Sequence, residues 1–277
     1  MSDPFRITEP TCISFSGGRT SAFMLWKVLE SNGGLPPDTV VCFANTGKEE
    51  EATLRFVQDC SERWNVPITW LEYRNGEEKF AVVDFTTAAR NGEPFEALIR
   101  KKNYLPNPVT RFCTVELKIR PMGRYLHSIG LVEKPSHGEE AAWIGIRADE
   151  PRRVAKIANK SRLPLATAGI TKAHVSEFWS RQPFDLELPN MGGVTMHGNC
   201  DLCFLKGGNQ IASLIAEKPN KAVWWARMET VVKTLGKPEQ TGSTFRSDRP
   251  SYAQMAAFAR DQMPLFSDES IPCFCGD

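Results

Sequence analysis

No run of apolar residues approaches the roughly 20 that a bilayer-spanning helix needs. The opening stretch MSDPFRITEP also lacks the basic-then-apolar layout of a secretory signal. A cytoplasmic location without a membrane partner is therefore expected. Excess charge is missing too. The 34 Lys and Arg stand against 33 Asp and Glu, a formal net charge of +1, so any polyanion must be met by a local basic patch. There is no internal repeat and no low-complexity tract. Histidine is scarce at four residues, and His127, His137 and His174 sit in helical or polar contexts without a partner spacing. No chemistry is assigned to them.

What is present suffices for a sizeable core: 41% of 277 residues are hydrophobic, enough for one large domain or a main domain with an appendage. Strand-like runs at Thr11–Phe15, Thr39–Ala44, Ile68–Tyr73 and Ala141–Ile146 alternate with helical patterns at Ser21–Glu30, Glu49–Trp64 and Val115–Ser128. That order predicts an α/β fold with a doubly wound parallel sheet, ligands gathering at the carboxyl ends of its strands. Arg74–Thr110, rich in Gly, Asn and Pro, reads as an irregular insertion over the mouth of the site. After Phe204 the pattern turns helical, clearest at Lys221–Leu235 and Ser251–Met263. The expected organisation is a nucleotide-binding domain over 1–205 and a small C-terminal helical region with a cysteine-containing tail over 206–277.

The first candidate site is SFSGGRTS, Ser14 to Ser21, between a strand and a helix. Paired glycines let backbone N–H groups converge without Cβ interference, and a helix N-terminus adds donors and a positive dipole end. Ser16, Thr20 and Ser21 supply hydroxyls, and Arg19 supplies a charge suited to a phosphate oxygen. A tight turn with a capping serine would account for one glycine and one serine, not for the whole set. Trp224, Trp225 and Arg227, with Arg246 and Arg249, could form a stacking surface for nucleobases. Packing of the tryptophans into the core is the favoured reading, since large aromatics usually supply core area.

The S-G-G-x-x-S loop resembles the PP-loop of ATP pyrophosphatases and their phosphoadenosine phosphosulfate (PAPS) reductase relatives. Four further segments follow in that family's order: NTGKEEEATLRFV from Asn45, RFCTVELKIRPM around Cys113, WIGIRADEPRR around Arg147, and CDLC from Cys200 to Cys203. The likeness covers about three quarters of the chain. It implies that Ser14, Ser16, Gly17, Gly18, Arg19, Thr20 and Ser21, with Asn45, Thr46 and Gly47, hold an adenine nucleotide, ATP or the sulfonucleotides APS and PAPS. It also implies that Arg147 and Arg152 engage a terminal phosphate or sulfate with help from Lys118. In place of the family's usual lysine-aspartate stand Arg19 and Thr20, and Asn45 replaces an acidic residue often found before T-G. Magnesium, which favours carboxylates, would have Glu49 or Glu50 instead.

Eight cysteines in a reducing compartment point to core, metal or catalytic roles rather than disulfides. Cys12, Cys42 and Cys60 lie in apolar segments and read as small buried hydrophobes. By the same resemblance Cys113, Cys200 and Cys203 are the thiolates of a [4Fe-4S] cluster, and three completions compete. The cluster could keep one iron open, as in several tRNA-thiolating relatives. Cys273 or Cys275 could fold back as a fourth ligand. His197 could complete a zinc site instead. Cys273 and Cys275 are also candidates for a tail-borne catalytic thiol, chemically reasonable because a thiolate attacks sulfur.

The leading expectation is ATP-dependent adenylation followed by sulfur transfer to a nucleic-acid acceptor, with a protein donating sulfur or electrons. The alternatives are a sulfonucleotide reductase using a C-terminal cysteine, and a non-catalytic nucleotide-binding module with structural zinc.

Overall fold

The structure, a computed structural model, describes residues 3–191, 194–235 and 243–261. At its centre is a sheet in the order β4-β3-β2-β1-β5, formed by β1 (Thr11–Phe15), β2 (Thr39–Asn45), β3 (Ile68–Tyr73), β4 (Phe80–Val83) and β5 (Ala142–Ile144). β1, β2, β3 and β5 pair in parallel, and β4 closes one edge antiparallel to β3. This is the doubly wound α/β arrangement that the alternation of strands and helices predicts.

Strand alternation explains why both faces carry helices. Ile13, Phe15, Val41 and Phe43 enter one buried layer with Met24, Leu25 and Val28 of α1 (Arg19–Asn32) and Leu54, Phe56 and Val57 of α2 (Glu51–Arg63). One residue out of phase, Cys12, Cys42 and Leu71 form the opposite layer with Met122 and Leu126. Cys12, Cys42 and Cys60 are buried free thiols, as their apolar settings predict.

Arg74–Thr110 is more regular than expected, since it contains β4 and α3 (Glu93–Lys102). Pro94 in the first turn and buried Phe95, Leu98 and Ile99 at helical spacing make α3. Gly92 and Asn103, both left-handed, cut it short at each end and conceal it in the sequence. Likewise the helix expected from Val115 begins earlier. It runs as α4 (Phe112–Thr114), a π turn at Val115–Ile119 and α5 (Arg120–Ser128). The remaining elements are α6 (Pro151–Ile157), α7 (Pro164–Thr167), α8 (Lys172–Trp179), the short ladder β6 (Asn190–Met191) and β7 (Val194–Thr195), then α9 (Gly208–Glu217), α10 (Asn220–Leu235) and α11 (Tyr252–Asp261).

A second core crosses the boundary expected at residue 205. Leu202 and Phe204 pack with Phe95 and Leu98 of α3 on one side and with Trp225, Phe245 and Tyr252 on the other. Trp225 is fully buried, and its Nε1 donates to Asp201 Oδ1 at 2.8 Å. Trp224 and Trp225 are both buried and thus supply core area, as the favoured reading expects. Trp225→Ala is expected to cost about 3–5 kcal/mol, read from urea unfolding by circular dichroism, in a single transition. Two resolved transitions would show that 206–277 folds apart from the rest.

Candidate nucleotide and thiol site

From β1 the chain steps outward to β2 and β3, then returns to place β5 on the other side of β1. The reversal leaves a crevice at the carboxyl ends of β1 and β5, the usual ligand position in such sheets. The phosphate-type loop lies there. Gly17 adopts φ +73°, and a Cβ on it would stand 2.7 Å from Thr53 Cγ2, so a side chain is excluded on two counts. Gly18 enters α1 in extended conformation, with no side chain capping the helix and no acidic residue in its first turn. The dipole end therefore faces the crevice unneutralised. Ser21 Oγ donates to Gly18 O at 2.9 Å, accepts Ser16 N–H at 3.1 Å and lies 3.0 Å from Ser16 Oγ. These bonds draw the loop into a closed cradle.

The exit from β5 presses on this cradle. An added Cβ on Gly145 would sit 3.1 Å from Ser21 Cα. Arg147 Nη1 donates to Thr20 Oγ1 at 3.2 Å and its Nε to Asp149 Oδ1 at 2.8 Å, which holds the guanidinium beside the loop. Arg19 points elsewhere. It forms a two-pronged pair with Asp185, at 2.6 and 2.7 Å, donates to Leu186 O at 2.8 Å, and its own carbonyl accepts Trp179 Nε1 at 2.9 Å. Its charge clamps α1 to the segment after α8.

Behind the loop lies a cavity of about 600 Å³. Ile119, Met122, Ala142 and Ile144 form apolar walls; Ser14 lies at its inner side, and Arg111, Lys118, Arg153, Lys156 and Lys160 contribute cations. Arg152, expected to bind a terminal phosphate, is exposed and does not line the cavity, whereas its neighbour Arg153 does. Arg153, Lys156, Ile157 and Lys160 recur at i, i+3, i+4 and i+7, a helical-face spacing that would have singled them out.

The segment after β2 is largely architectural. Asn45 Nδ2 donates to Glu72 Oε1 at 2.6 Å and Ala89 O at 2.8 Å, and its Oδ1 accepts Gly47 N–H at 3.1 Å. Gly47 has φ +76°, with the Gly92 backbone 3.0 Å from where a Cβ would be. The Glu49 carboxylate accepts Thr46 N–H and Oγ1–H at 2.9 Å and pairs with Lys118 Nζ at 3.7 Å. Glu50 pairs with Lys221. Both carboxylates considered for magnesium thus have protein partners already.

Thr46 Oγ1 also lies 3.5 Å from Cys200 Sγ, which brings the thiols alongside. Burial first, then the neighbouring Cys203, pushes the Cys113 thiol up to about 11. Burial raises Cys200 and Cys203 as well, with Glu49 adding to the shift at Cys200. Burial works against charge on Lys118, but Glu49 and all three cysteines outweigh it and raise the ammonium. Cys113, Cys200, Cys203 and Lys118 are thus one electrostatic group.

Among the described residues no three Cys, His, Asp or Glu side chains converge as ligands of one ion. A tetrahedral zinc at about 2.3 Å from each sulfur would need such convergence. His197 instead holds Glu217 Oε2 at 2.8 Å through Nε2, with Nδ1 buried and unpartnered. A [4Fe-4S] cluster takes thiolate donors, ordinarily four, and the described residues bring three such thiols beside one lysine, a match in donor type that is one short in number. Cys273 and Cys275 lie outside the described residues.

No family model matches the chain. It is 33% identical over 208 residues, 72% of this chain and 67% of the other, to a protein of Escherichia phage lambda described as an uncharacterized nin region protein, ORF290. The chain belongs to the family of that lambda protein.

Two supports of this nin-region family member escape sequence reading. Lys48 Nζ pairs with Asp201 Oδ2 at 3.0 Å, both side chains less than 10% exposed. Asp185 holds Arg19. Neither pair has a local signal, since each joins residues more than 150 positions apart in the chain. Asp185→Asn is expected to cost about 2 kcal/mol in urea unfolding. An unchanged midpoint would show that the Arg19 clamp contributes nothing.

Proposed function

We propose that the protein binds an adenine nucleotide in the β1–β5 crevice, activates an acceptor oxygen by adenylation and directs sulfur to the activated position. The observation that carries this reading is the cavity of about 600 Å³, apolar on one side and cationic on the other, reached from Ser14 two residues before the phosphate cradle. A base and ribose suit the apolar walls, and a polyphosphate suits the cations and the α1 terminus.

In this reading the acceptor oxygen attacks the α-phosphorus of ATP, and the bond from that phosphorus to the bridging oxygen breaks. Pyrophosphate leaves with its electron pair. The Ser16 and Ser21 hydroxyls, the α1 terminus and Arg147 stabilise the departing charge by position and electrostatics. A reduced sulfur nucleophile then displaces AMP at the activated carbon. Lys118 contacts both regions, since it lines the cavity and pairs with Glu49 beside the thiols. Cys113, Cys200 and Cys203 would hold an iron–sulfur cluster, which when bound would offer an iron position for the incoming sulfur. A nucleic acid is the acceptor class proposed, with a separate protein supplying sulfur or electrons.

Three experiments test this. In calorimetry with ATP, Arg153→Glu is expected to weaken binding at least tenfold, about 1.4 kcal/mol; equal affinity would remove the cavity from the nucleotide site. Anaerobic preparations are expected to absorb broadly near roughly 400 nm and to lose that colour in Cys200→Ser. A colourless wild type containing stoichiometric zinc would overturn the cluster. Pyrophosphate and AMP formation would support adenylation, whereas sulfite release from APS or PAPS would replace it with the reductase reading.

A further inference from the structure

A second cationic pocket, of about 120 Å³, lies between α3, the β3–β4 edge and the helical run from Phe112 to Ser128. Lys79, Lys101, Lys102, Arg120 and Arg124 line it together with Tyr73. It shares no lining residue with the larger cavity. The two use different faces of one helical run: Glu116, Arg120 and Arg124, spaced i, i+4 and i+8, face the small pocket, whereas Lys118, Ile119 and Met122 face the large one.

Charge is concentrated here in a chain whose formal net charge is +1. Five cations meet a single lining carboxylate, Glu116. Glu116 Oε1 pairs with Lys102 Nζ and Arg120 Nη1, each at 2.8 Å. Lys79, Lys101 and Arg124 make no ion pair among the described residues. Glu77 and Glu78, in the β3–β4 hairpin, do not line the pocket.

Tyr73 carries an unmet polar group into this setting. Its side chain is 3% exposed, and its hydroxyl is buried without a hydrogen-bond partner. Buried hydroxyls are normally satisfied, and leaving one unpaired costs about 1–3 kcal/mol. Tyr73 lines both this pocket and the neighbouring one bounded by Arg74, Asn75 and Thr87, and a ligand oxygen seated deep among these cations would supply the missing acceptor from this side. The space equals about four waters, which suits a tetrahedral oxyanion rather than a whole nucleotide.

We propose that this pocket is a second phosphate-binding site, separate from the phosphate cradle. The shared chemistry is a phosphate group, whether from a nucleic-acid backbone or from a free phosphorylated ligand. Planar guanidinium forks and ammonium groups recognise either, and a backbone would in addition bind with strong salt dependence. The proposal does not rest on the nucleotide reading of the larger cavity.

The test uses the full chain with two probes, inorganic phosphate by calorimetry and a labelled 12-nucleotide single strand by fluorescence anisotropy at several salt concentrations. The double variant Lys101→Glu, Arg124→Glu is expected to weaken binding at least tenfold, with melting temperature and ATP affinity kept. If the source is a backbone, the strand binds and its slope of log affinity against log salt falls by about 1.4 in the variant, near 0.7 for each phosphate that is no longer neutralised. If the source is a free phosphate, only the phosphate heat disappears. Tyr73→Phe removes one hydroxyl and is expected to weaken the same probe several-fold without lowering the melting temperature. Wild-type protein that binds neither probe, or a double variant that matches wild type with both, would overturn the site. Equal affinity of Tyr73→Phe and wild type would overturn this pocket as the point of binding.

Discussion

The arrangement depends on one buried ion pair. Lys48, in the loop after β2, and Asp201, inside C-x-x-C, meet at 3.0 Å in a setting almost closed to water. Breaking such a pair from one side leaves an uncompensated buried charge, which costs about 3–5 kcal/mol. Further bonds fix its geometry. Asp201 N–H donates to Lys48 O at 2.7 Å, Trp225 Nε1 donates to Asp201 Oδ1, and the Lys48 ammonium lies 5.1 Å from the centre of a Trp224 ring. This knot joins the central sheet, the thiol turn and the C-terminal helices. It therefore decides where Cys200 and Cys203 stand relative to Cys113.

Around the knot the candidate site divides into a glycine-loop end and a thiol end, with Lys118 between them. At the glycine-loop end the controlling condition is the absence of side chains. Gly17 and Gly145 let α2 and the β5 exit close on the start of α1. At the thiol end the controlling condition is low water access, which raises all three thiols, while Glu49 and the cysteines hold up the Lys118 ammonium against that same burial. The two ends call for opposite environments, and they are kept apart: the thiols lie beside Thr46 and Glu49 after β2, and none of them lines the cavity at the β1–β5 crevice.

Much of the framework is legible in the chain itself. β1, α1, β2, α2 and β3 follow from strand-like runs of five to seven residues alternating with helical periodicity, and the glycine pair after β1 marks the turn into α1. α3 is concealed because its flanking Gly92 and Asn103 carry stronger turn signals than its short apolar face carries helix signal. β4 escapes notice since its two faces are both half-solvated, so no alternation marks it. The resemblance points to Arg152 for the anion, whereas it is the adjacent Arg153 that lines the cavity. Helical rotation, about 100° per residue, turns adjacent residues to different sides.

The sequence by itself determined the class of the fold and the glycine turn between β1 and α1, because backbone conformation and strand or helix periodicity are local properties. Tertiary structure alone decided that Arg19 is a clamp on Asp185, that Arg153 and Lys118 line the cavity, and that Lys48 anchors the thiol turn. Each of those outcomes depends on which charge lies opposite in three dimensions. Electrostatic partners act across space at a few ångströms, and nothing in the local chain specifies a partner more than 150 residues away.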